Sequence, residues 1–281
     1  MQKSSGHNIL VTGIPRSGTT LAIHLLNQLD QVVALHEPIP PARFTGCSEP
    51  AEAVTIISGC FSEYRAAIDS GTNVQSKQSG AELPTNPVES QTDGWLRREI
   101  VTLGETRIQL RSKDDYRLII KHNALFTALL SALDGTEVYA IVRNPLEVLI
   151  SWQSVDLPVN RGRIPMGEQF DPALTKRLTN VTDVLDRQLS VLSWFFEQYR
   201  TLPEQRLVRY EDIISTNGQI LQKIAGQPLS SVKPLQRQRG AGIISQETMV
   251  HLRDRLLASP EIYLGYYSAQ EIDAAAMQGI Q

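Results

Sequence analysis

The chain has 281 residues, of which 41% are hydrophobic and 20% are charged, a composition that excludes a collagen, a coiled coil or an extended disordered polymer. Its formal net charge of −3 gives no general attraction to nucleic acid or to an anionic membrane, so any basic function has to be local. We therefore expect one elaborated globular domain over residues 1–281, with no nucleic-acid partner.

Two further features predict where the protein works. The first apolar strand begins within about ten residues of Met1, which leaves no room for a secretory signal, and no stretch approaches the roughly 18–20 apolar residues that span a bilayer. Cys47 and Cys60 are the only cysteines, and they lack partners at zinc spacing. These observations predict free thiols, no metal site and a soluble cytoplasmic protein without a membrane partner.

Residues 8–20, NILVTGIPRSGTT, read as an apolar strand, a glycine-punctuated turn and a helix start. Gly13 and Gly18 permit a tight turn, and the N–H groups that begin the helix point outward, as in phosphate-binding sites. A nucleoside-triphosphate loop places a lysine directly after its second glycine. Here Thr19 occupies that position and the positive charge lies inside the loop, at Arg16. This difference disfavours cleavage of a triphosphate by a lysine and a metal.

Downstream of the loop, the hydrophobic pattern predicts alternating helices and strands. The predicted elements are helices over 19–29, 124–133, 146–152 and 181–199, strands over 32–35, 116–121, 137–142 and 206–210, and the end of a helix over 220–225. Asn144 and Asp212 are the expected N-caps, Asn144 being followed by Pro145 at the first helical position. The alternation predicts an α/β fold of three layers, with a central parallel sheet flanked by helices.

Two stretches lack a recognisable pattern, at about 42–115 and 153–180. Within the first, 51–68 fits a helix, whereas 71–93 is rich in Ser, Gly, Gln, Asn and Pro. We expect 71–93 to be a mobile surface segment, either a lid or a variable insertion without function. Within the second, 155–171 is expected to be irregular and able to overhang a site. These stretches are the candidates for a substrate pocket.

Two further motifs follow predicted strands. Arg143 ends one strand, and Ser151 lies two turns into the next helix, in the sequence VRNPLEVLIS. Arginine offers a fork of donors that suits phosphate, and a serine on a nearby helix can share the same oxygens. Tyr210 ends a later strand, in the sequence RYEDI. Ligands of parallel sheets bind at the carboxyl ends of strands, where all these motifs are predicted to lie.

The order of these motifs resembles that of the sulfotransferases that use 3′-phosphoadenosine 5′-phosphosulfate, PAPS. The motifs are the PRSGTT loop, the arginine with a serine eight positions later, and the YED strand end. The resemblance covers residues 8–40 and 116–226, and the loop is similar to that of many bacterial and carbohydrate-type members. It implies a P-loop-like fold and an enzyme that moves a sulfuryl group from PAPS, without a metal, to a hydroxyl or amine.

The resemblance also implies roles for individual residues. The first loop would bind the 5′-phosphosulfate, with Arg16 in the place of the lysine of the animal cytosolic enzymes. Arg143 and Ser151 would bind the 3′-phosphate, and Tyr210 would lie near the adenine. Lys121 would join Arg16 in stabilising charge on the departing phosphate. The implied loop residues are Arg16, Ser17, Gly18, Thr19 and Thr20.

A late basic stretch, RQRG at 237–240, is a looser match. The family has an Arg-Lys-Gly segment that grips the 3′-phosphate, and Arg239 would be its counterpart. Solvated charge on a surface loop is the equal alternative. Arg239 is therefore carried as a further candidate for cofactor binding.

The general base for the acceptor has two candidates. Glu37 follows a strand end and precedes a proline, as a glutamate often does in the bacterial and carbohydrate-type members, and His36 beside it could assist. His122 is the second candidate. The animal cytosolic enzymes have a catalytic histidine two residues after a lysine, but in KHN at 121–123 the histidine directly follows the lysine. In an extended segment, this offset of one residue turns the side chain to the other face. We favour Glu37; either base would contribute roughly 10²–10⁴-fold.

The acceptor is not identified by any motif. The family and the expected compartment favour a small molecule, such as a secondary metabolite, over a glycan or a protein, and leave O- or N-sulfation and the oligomeric state open. Two rival functions share the same local pattern: a P-loop nucleotide kinase or other phosphotransferase, and a non-catalytic nucleotide-binding protein on the same fold.

Overall fold

The computed structural model describes residues 7–80, 82–90, 96–108, 110, 115–229, 234–237 and 244–279. In these ranges the strands are β1 (Asn8–Gly13), β2 (Val32–His36), β3 (Asn73–Gln78), β4 (Thr102–Arg107), β5 (Arg117–Lys121), β6 (Glu137–Val142) and β7 (Leu207–Arg209). The helices are α1 (Thr19–Leu26), α2 (Pro50–Ser70), α3 (Asn123–Ala128), α4 (Pro145–Gln153), α5 (Pro165–Phe170), α6 (Pro172–Thr179), α7 (Val184–Tyr199), α8 (Tyr210–Ser215), α9 (Gln222–Ala225), α10 (Gln246–Leu257) and α11 (Ala269–Gly279). No helix in the described ranges is long and apolar enough to cross a membrane.

Five strands form a parallel sheet in the order β2-β5-β1-β6-β7. Alternate side chains of the central strand β1 enter two hydrophobic cores on opposite faces of this sheet. Leu10 packs with residues of α2, α3, α4 and α7, whereas Ile9 and Val11 pack with residues of α1, α8 and α9. The sheet is therefore buried on both faces, as parallel sheets are. The predicted α/β fold, with a central parallel sheet between helical layers, is confirmed.

Local signals placed several elements correctly. The strand predicted over 137–142 coincides with β6, and α4 begins at Pro145 with the Asn144 side chain accepting the Leu146 N–H, as predicted. The prediction that Asp212 is an N-cap is wrong, because α8 begins at Tyr210 and Asp212 lies in its first turn.

Other helix boundaries differ from the predicted ones. The helix predicted over 19–29 ends at Leu26, where the side chain of the next residue, Asn27, pairs with the N–H and C=O of Ala34 in the edge strand β2. The long helix predicted over 181–199 begins at Val184, because the Asp183 carboxylate accepts the Asp186 N–H as its N-cap.

The prediction that 71–93 is a mobile surface segment is wrong for residues 73–78, which form strand β3. β3 pairs antiparallel with β4, with Val74 opposite Thr106 and Ser76 opposite Gly104. The Ser76 hydroxyl accepts the His36 N–H at 3.0 Å, which attaches the two-stranded sheet to the edge strand β2. The polar sequence NVQSKQ hides this strand, since only Val74 and Ser76 are buried.

The second stretch expected to be irregular, 153–180, is mostly helical. It contains a 3₁₀ turn over Pro158–Arg161 and the helices α5 and α6. Its prolines begin these elements rather than break regular structure, because the fixed φ of proline suits a first helical position. Asp171 caps α6 and accepts the indole N–H of the buried Trp194 at 2.7 Å, so this stretch is packed onto α7.

The Asn144 cap generates a test of how α4 is held. Asn144→Ala is expected to lower the free energy of unfolding by about 1–2 kcal/mol, because alanine cannot accept the N–H groups of the first turn. The loss should exceed that of Ser245→Ala, which removes the exposed cap of α10, since the Asn144 side chain also donates to the Glu271 carbonyl at 3.0 Å. Urea denaturation measures both variants. An equal or smaller loss for Asn144→Ala would show that the link to Glu271 carries no stability.

Candidate active site

The loop between β1 and α1 lies over the ends of β1 and β6. The Ser17 hydroxyl donates to the Ile141 carbonyl at 2.8 Å. A Cβ at Gly13 would lie 2.7 Å from that same carbonyl oxygen, and a Cβ at Gly18, where φ is +89°, would overlap the ring of Tyr210. Both glycines are therefore required for close approach. Ser17 is buried against the sheet and does not line the cavity that the other predicted loop residues border.

A cavity of about 1640 Å³ lies over the carboxyl ends of the sheet strands. Drug-sized ligands occupy pockets of about 300–1,000 Å³, so this cavity has room for a nucleotide together with a small acceptor. Its wall contains most of the residues predicted from the motifs: Arg16, Gly18, Thr19, Thr20, Glu37, Lys121, His122, Arg143, Ser151 and Tyr210.

Residues of all three motifs meet at one end of the cavity, which we call the arginine end. Arg16 Nε donates to the Ser151 hydroxyl at 3.1 Å, and Arg143 donates to the Arg16 carbonyl at 3.2 Å. The Arg143 guanidinium carbon lies 4.4 Å from the centre of the Tyr210 ring. Burial, followed by the charges of Arg97 and Arg143, lowers the pKa of Arg16 to about 9. The arginine end is therefore a buried cationic surface.

Glu147 partly balances the arginine end. Its carboxylate pairs with Nε of Arg143, four residues earlier in the chain, at 2.9 Å and with Arg237 at 2.7 Å. Arg237 thus brings the start of the late basic stretch to the cavity wall. The predicted residue Arg239 lies outside the described residues.

A buried tryptophan joins α4 to the loop. The indole N–H of Trp152 donates to the Pro15 carbonyl at 2.9 Å, and the side chain is fully buried. Ser151 is the preceding residue on the same helix. This hydrogen bond therefore fixes the loop backbone at Arg16 relative to the Ser151 hydroxyl that Arg16 contacts.

Ion pairs connect a second set of charged residues in the cavity, which we call the glutamate end. Glu37 Oε1 lies 2.7 Å from Lys121 Nζ, and Glu37 Oε2 lies 2.9 Å from Lys77 Nζ, which also contacts Glu99 at 2.9 Å. Although burial raises the pKa of the Glu37 carboxyl, the charge of Lys121, assisted by that of Lys77, holds it well below its ordinary value. Glu37 is therefore a carboxylate at neutral pH.

His36 links this end to the phosphate loop. Its Nε2 lies 3.1 Å from the Thr20 hydroxyl and accepts from Lys121 Nζ at 3.3 Å. Burial, followed by the charge of Lys121, lowers the pKa of His36 well below its ordinary value. Its Nδ1 is buried without a hydrogen-bond partner among the described side chains and backbone. The imidazole is thus neutral and directs its accepting nitrogen toward Lys121.

His122 is engaged in the fold. Its Nε2 accepts the Ile39 N–H at 3.1 Å, and its ring packs edge-on against Phe126, with the ring centres 5.2 Å apart. Burial lowers its pKa to about 3. A neutral ring whose Nε2 accepts a hydrogen bond carries its hydrogen on Nδ1, so neither nitrogen is free to take a proton. This geometry disfavours His122 as a base.

Several charged residues of the site were not predicted, among them Lys77, Arg97, Glu99 and Glu147. Lys77 and Arg97 come from the polar segment between α2 and β5, where no motif or spacing distinguishes them from solvated charges. Glu147 lies in the first turn of α4, and its pairing with Arg143, which precedes the helix, depends on how the chain turns at Asn144.

No protein-family model matches the sequence, and no curated protein matches it. Several solved structures do show similarity, among them the following three. Sulfotransferase STF9 from Mycobacterium avium has 14% identity, covers 98% of this chain and 76% of that chain, and has a TM-score of 0.35. The sulfotransferase domain from the curacin biosynthetic pathway has 17% identity, coverage of 99% and 98%, and a TM-score of 0.38. Sulfotransferase STF1 from Mycobacterium tuberculosis H37Rv has 12% identity, coverage of 99% and 76%, and a TM-score of 0.37.

All three are named as sulfotransferases, the family that the sequence motifs resemble. At 12–17% identity and TM-scores of 0.35–0.38, these similarities assign neither a donor nor an acceptor to this chain. The function proposed for this chain therefore depends on the chemistry of the cavity.

The contacts of His122 predict its protonation. The ring is expected to stay neutral between about pH 5 and 8 with its hydrogen on Nδ1, whereas a histidine of the unfolded chain takes up a proton near pH 6.5. Unfolding therefore takes up a proton, and the contribution of this group to stability falls as the pH drops from about 6.5 toward 3.

Long-range ¹H–¹⁵N NMR correlations of the imidazole report both the tautomer and the titration. The spectrum of His122→Asn identifies the signal. A ring that titrates near pH 6.5, or one that carries its hydrogen on Nε2, would return His122 to the list of candidate bases.

Proposed function

We propose that the protein is a PAPS-dependent sulfotransferase that transfers a sulfuryl group to a hydroxyl or amine of a small molecule. The observation that carries the proposal is the convergence of Arg16, Ser151, Arg143 and Tyr210 on one wall of one cavity. These residues come from three motifs that are far apart in the sequence. A cationic surface of this kind suits an anionic nucleotide.

The donor set fits a nucleotide with anionic groups at two ends. At the arginine end, Arg143 and Ser151 would hold the 3′-phosphate, and the ring of Tyr210 would lie near the adenine. At the other end, the first turn of α1 presents its backbone N–H groups near Thr20, and Lys121 supplies a buried ammonium. Cationic side chains in both the arginine end and the glutamate end suit PAPS, which carries anionic groups at two positions, better than a nucleotide with a single phosphate chain.

The proposed reaction places charge where these residues lie. The acceptor attacks sulfur, the bond from sulfur to the phosphate oxygen breaks, and negative charge grows on that departing oxygen. Lys121, Arg16 and the N–H groups at the start of α1 would stabilise the charge. One well-placed donor of this type contributes about 3–4 kcal/mol.

Glu37 is the proposed base that takes the acceptor's proton. Its carboxylate lines the cavity, whereas both nitrogens of His122 are occupied in the neutral ring. The ammonium groups of Lys121 and Lys77 keep Glu37 ionised but also make it a weak base. Proton transfer is therefore expected to accompany the formation of the new bond rather than to precede it.

The wall beyond Glu37 indicates the kind of acceptor. It is lined by apolar side chains from the segment after β2, from the segment between β3 and β4, from β4 itself, and from the stretch that leads into α5: Ile39, Val88, Ile100, Leu103, Leu157, Ile164 and Met166. Such a wall suits a small acceptor with an apolar body, as many secondary metabolites have. We propose such an acceptor for a cytoplasmic enzyme, rather than a nucleic acid or a membrane.

Nucleotide binding tests the proposal against the kinase alternative. The nucleotide product 3′-phosphoadenosine 5′-phosphate (PAP) is expected to raise Tm, since a ligand at 100 times its Kd adds about 2.7 kcal/mol to stability. ATP with magnesium should give a smaller shift. Arg143→Gln should remove the PAP shift, and Arg161→Gln, at an exposed arginine that does not line the cavity, should keep it. Scanning calorimetry measures Tm. If ATP with magnesium raised Tm and PAP did not, a kinase would replace this proposal.

The base assignment is tested by turnover with ³⁵S-labelled PAPS and a panel of phenols, alcohols and amines. Glu37→Gln is expected to lower kcat by about 10²–10⁴-fold, because general base catalysis is lost. The Kd of PAP should be unchanged. His122→Gln should lower kcat less. Glu99→Gln is the matched control, since it removes a carboxylate that also pairs with Lys77. Wild-type turnover in Glu37→Gln would exclude Glu37 as the base.

A further inference from the structure

Arg97 is a buried cation in the cavity wall that belongs to no motif of the sequence. Its backbone is fixed to the end of α4, because its N–H donates to the Ser154 carbonyl at 3.0 Å and its carbonyl accepts the Asp156 N–H at 2.9 Å. Its guanidinium donates to the Ser154 hydroxyl at 2.6 Å. That hydroxyl in turn donates to the Ser151 carbonyl at 2.8 Å. Arg97 is therefore held one helical turn from Ser151.

The charge of Arg97 has no protein counter-ion in the part of the chain that the structure describes. No described carboxylate pairs with it, and burial lowers its pKa without an acidic neighbour to oppose the shift. Its like charge also acts on the buried Arg16. A buried cation without a partner is unfavourable, and an anion bound nearby would relieve the cost.

A structural role for Arg97 is also visible. Its side chain contacts the carbonyl of Ser154, the C-cap residue that follows α4, and a cation is favourable at a helix C-terminus. That role uses Nε and one N–H of Nη2. It leaves Nη1 without a hydrogen bond to the described residues. Helix capping therefore does not account for the whole guanidinium or for its position in the cavity wall.

We propose that Arg97 is a further phosphate-binding residue, which joins Arg143 and Ser151 in holding the 3′-phosphate of the donor nucleotide. The inference rests on the proposed function and extends it to a residue delivered by the segment that precedes β4. A phosphate supplies the missing negative charge, and the planar fork of arginine can contact phosphate oxygens while it stays bonded to Ser154.

Two nucleotides that differ only in the 3′-phosphate isolate the role of Arg97. Isothermal titration calorimetry gives the Kd of PAP and of adenosine 5′-phosphate (AMP) for the wild type and for Arg97→Gln. The substitution is expected to raise the Kd of PAP by about ten- to hundredfold, the range for loss of a charged hydrogen bond. The Kd of AMP should not change. Arg98→Gln removes the same charge from an exposed neighbour and should change neither value.

The outcomes separate this inference from the function on which it rests. Wild-type protein that does not bind PAP more tightly than AMP would overturn the proposed donor, and the role of Arg97 with it. In a second outcome, the wild-type protein prefers PAP, and the Arg97→Gln variant either keeps the same preference or binds both nucleotides more weakly by the same factor. This outcome would overturn the role of Arg97 alone. If Arg97→Gln binds no AMP because it fails to fold, Arg97→Lys is judged by the same preference, and a lowered preference supports the proposal.

Discussion

The parallel pairing of β1 with β5 on one side and with β6 on the other determines where the charged groups of the cavity lie. Val11 is in register with Lys121, and Gly13 with Ile141, so the chain leaves three adjacent strands at one edge of the sheet. The phosphate loop, the ammonium at the end of β5 and Arg143 after β6 meet there as a result. Because both faces of the sheet are buried, a shift of one residue in register would put these charges into a core.

The two ends of the cavity differ in how their charges are balanced. Lys121, Glu37, Lys77 and Glu99 alternate in sign, so this end is neutralised by the protein's own carboxylates. At the arginine end, the carboxylate of Glu147 faces several guanidinium groups. An anion gains most at the arginine end, where it replaces repulsion among cations. At the other end it has to compete with Glu37 for the lysines.

Local rules account for the parts of the structure that the sequence predicted. Strand β6 and the Asn144 cap could be found because apolar pattern, cap and proline are adjacent in the chain. Strands β3 and β4 could not, since each is polar and is ordered by pairing with the other across an intervening segment. Lys77 and Arg97 become site residues only once that segment packs on β2 and α4. The Glu37–Lys121 pair joins residues 84 positions apart, which only the family resemblance placed in one site.

Arg16 and Glu37 hold left-handed backbone conformations, with φ of +73° and +46°. Such a conformation costs a non-glycine residue roughly 1 kcal/mol or more, and glycine would adopt it at lower cost. A sequence that evolved for stability alone would be expected to drift toward glycine at both turns. Gln31 and Asn217 also have positive φ among the described residues, but of these four only Arg16 and Glu37 border the cavity. Their strained backbone thus supports the roles proposed for these two side chains.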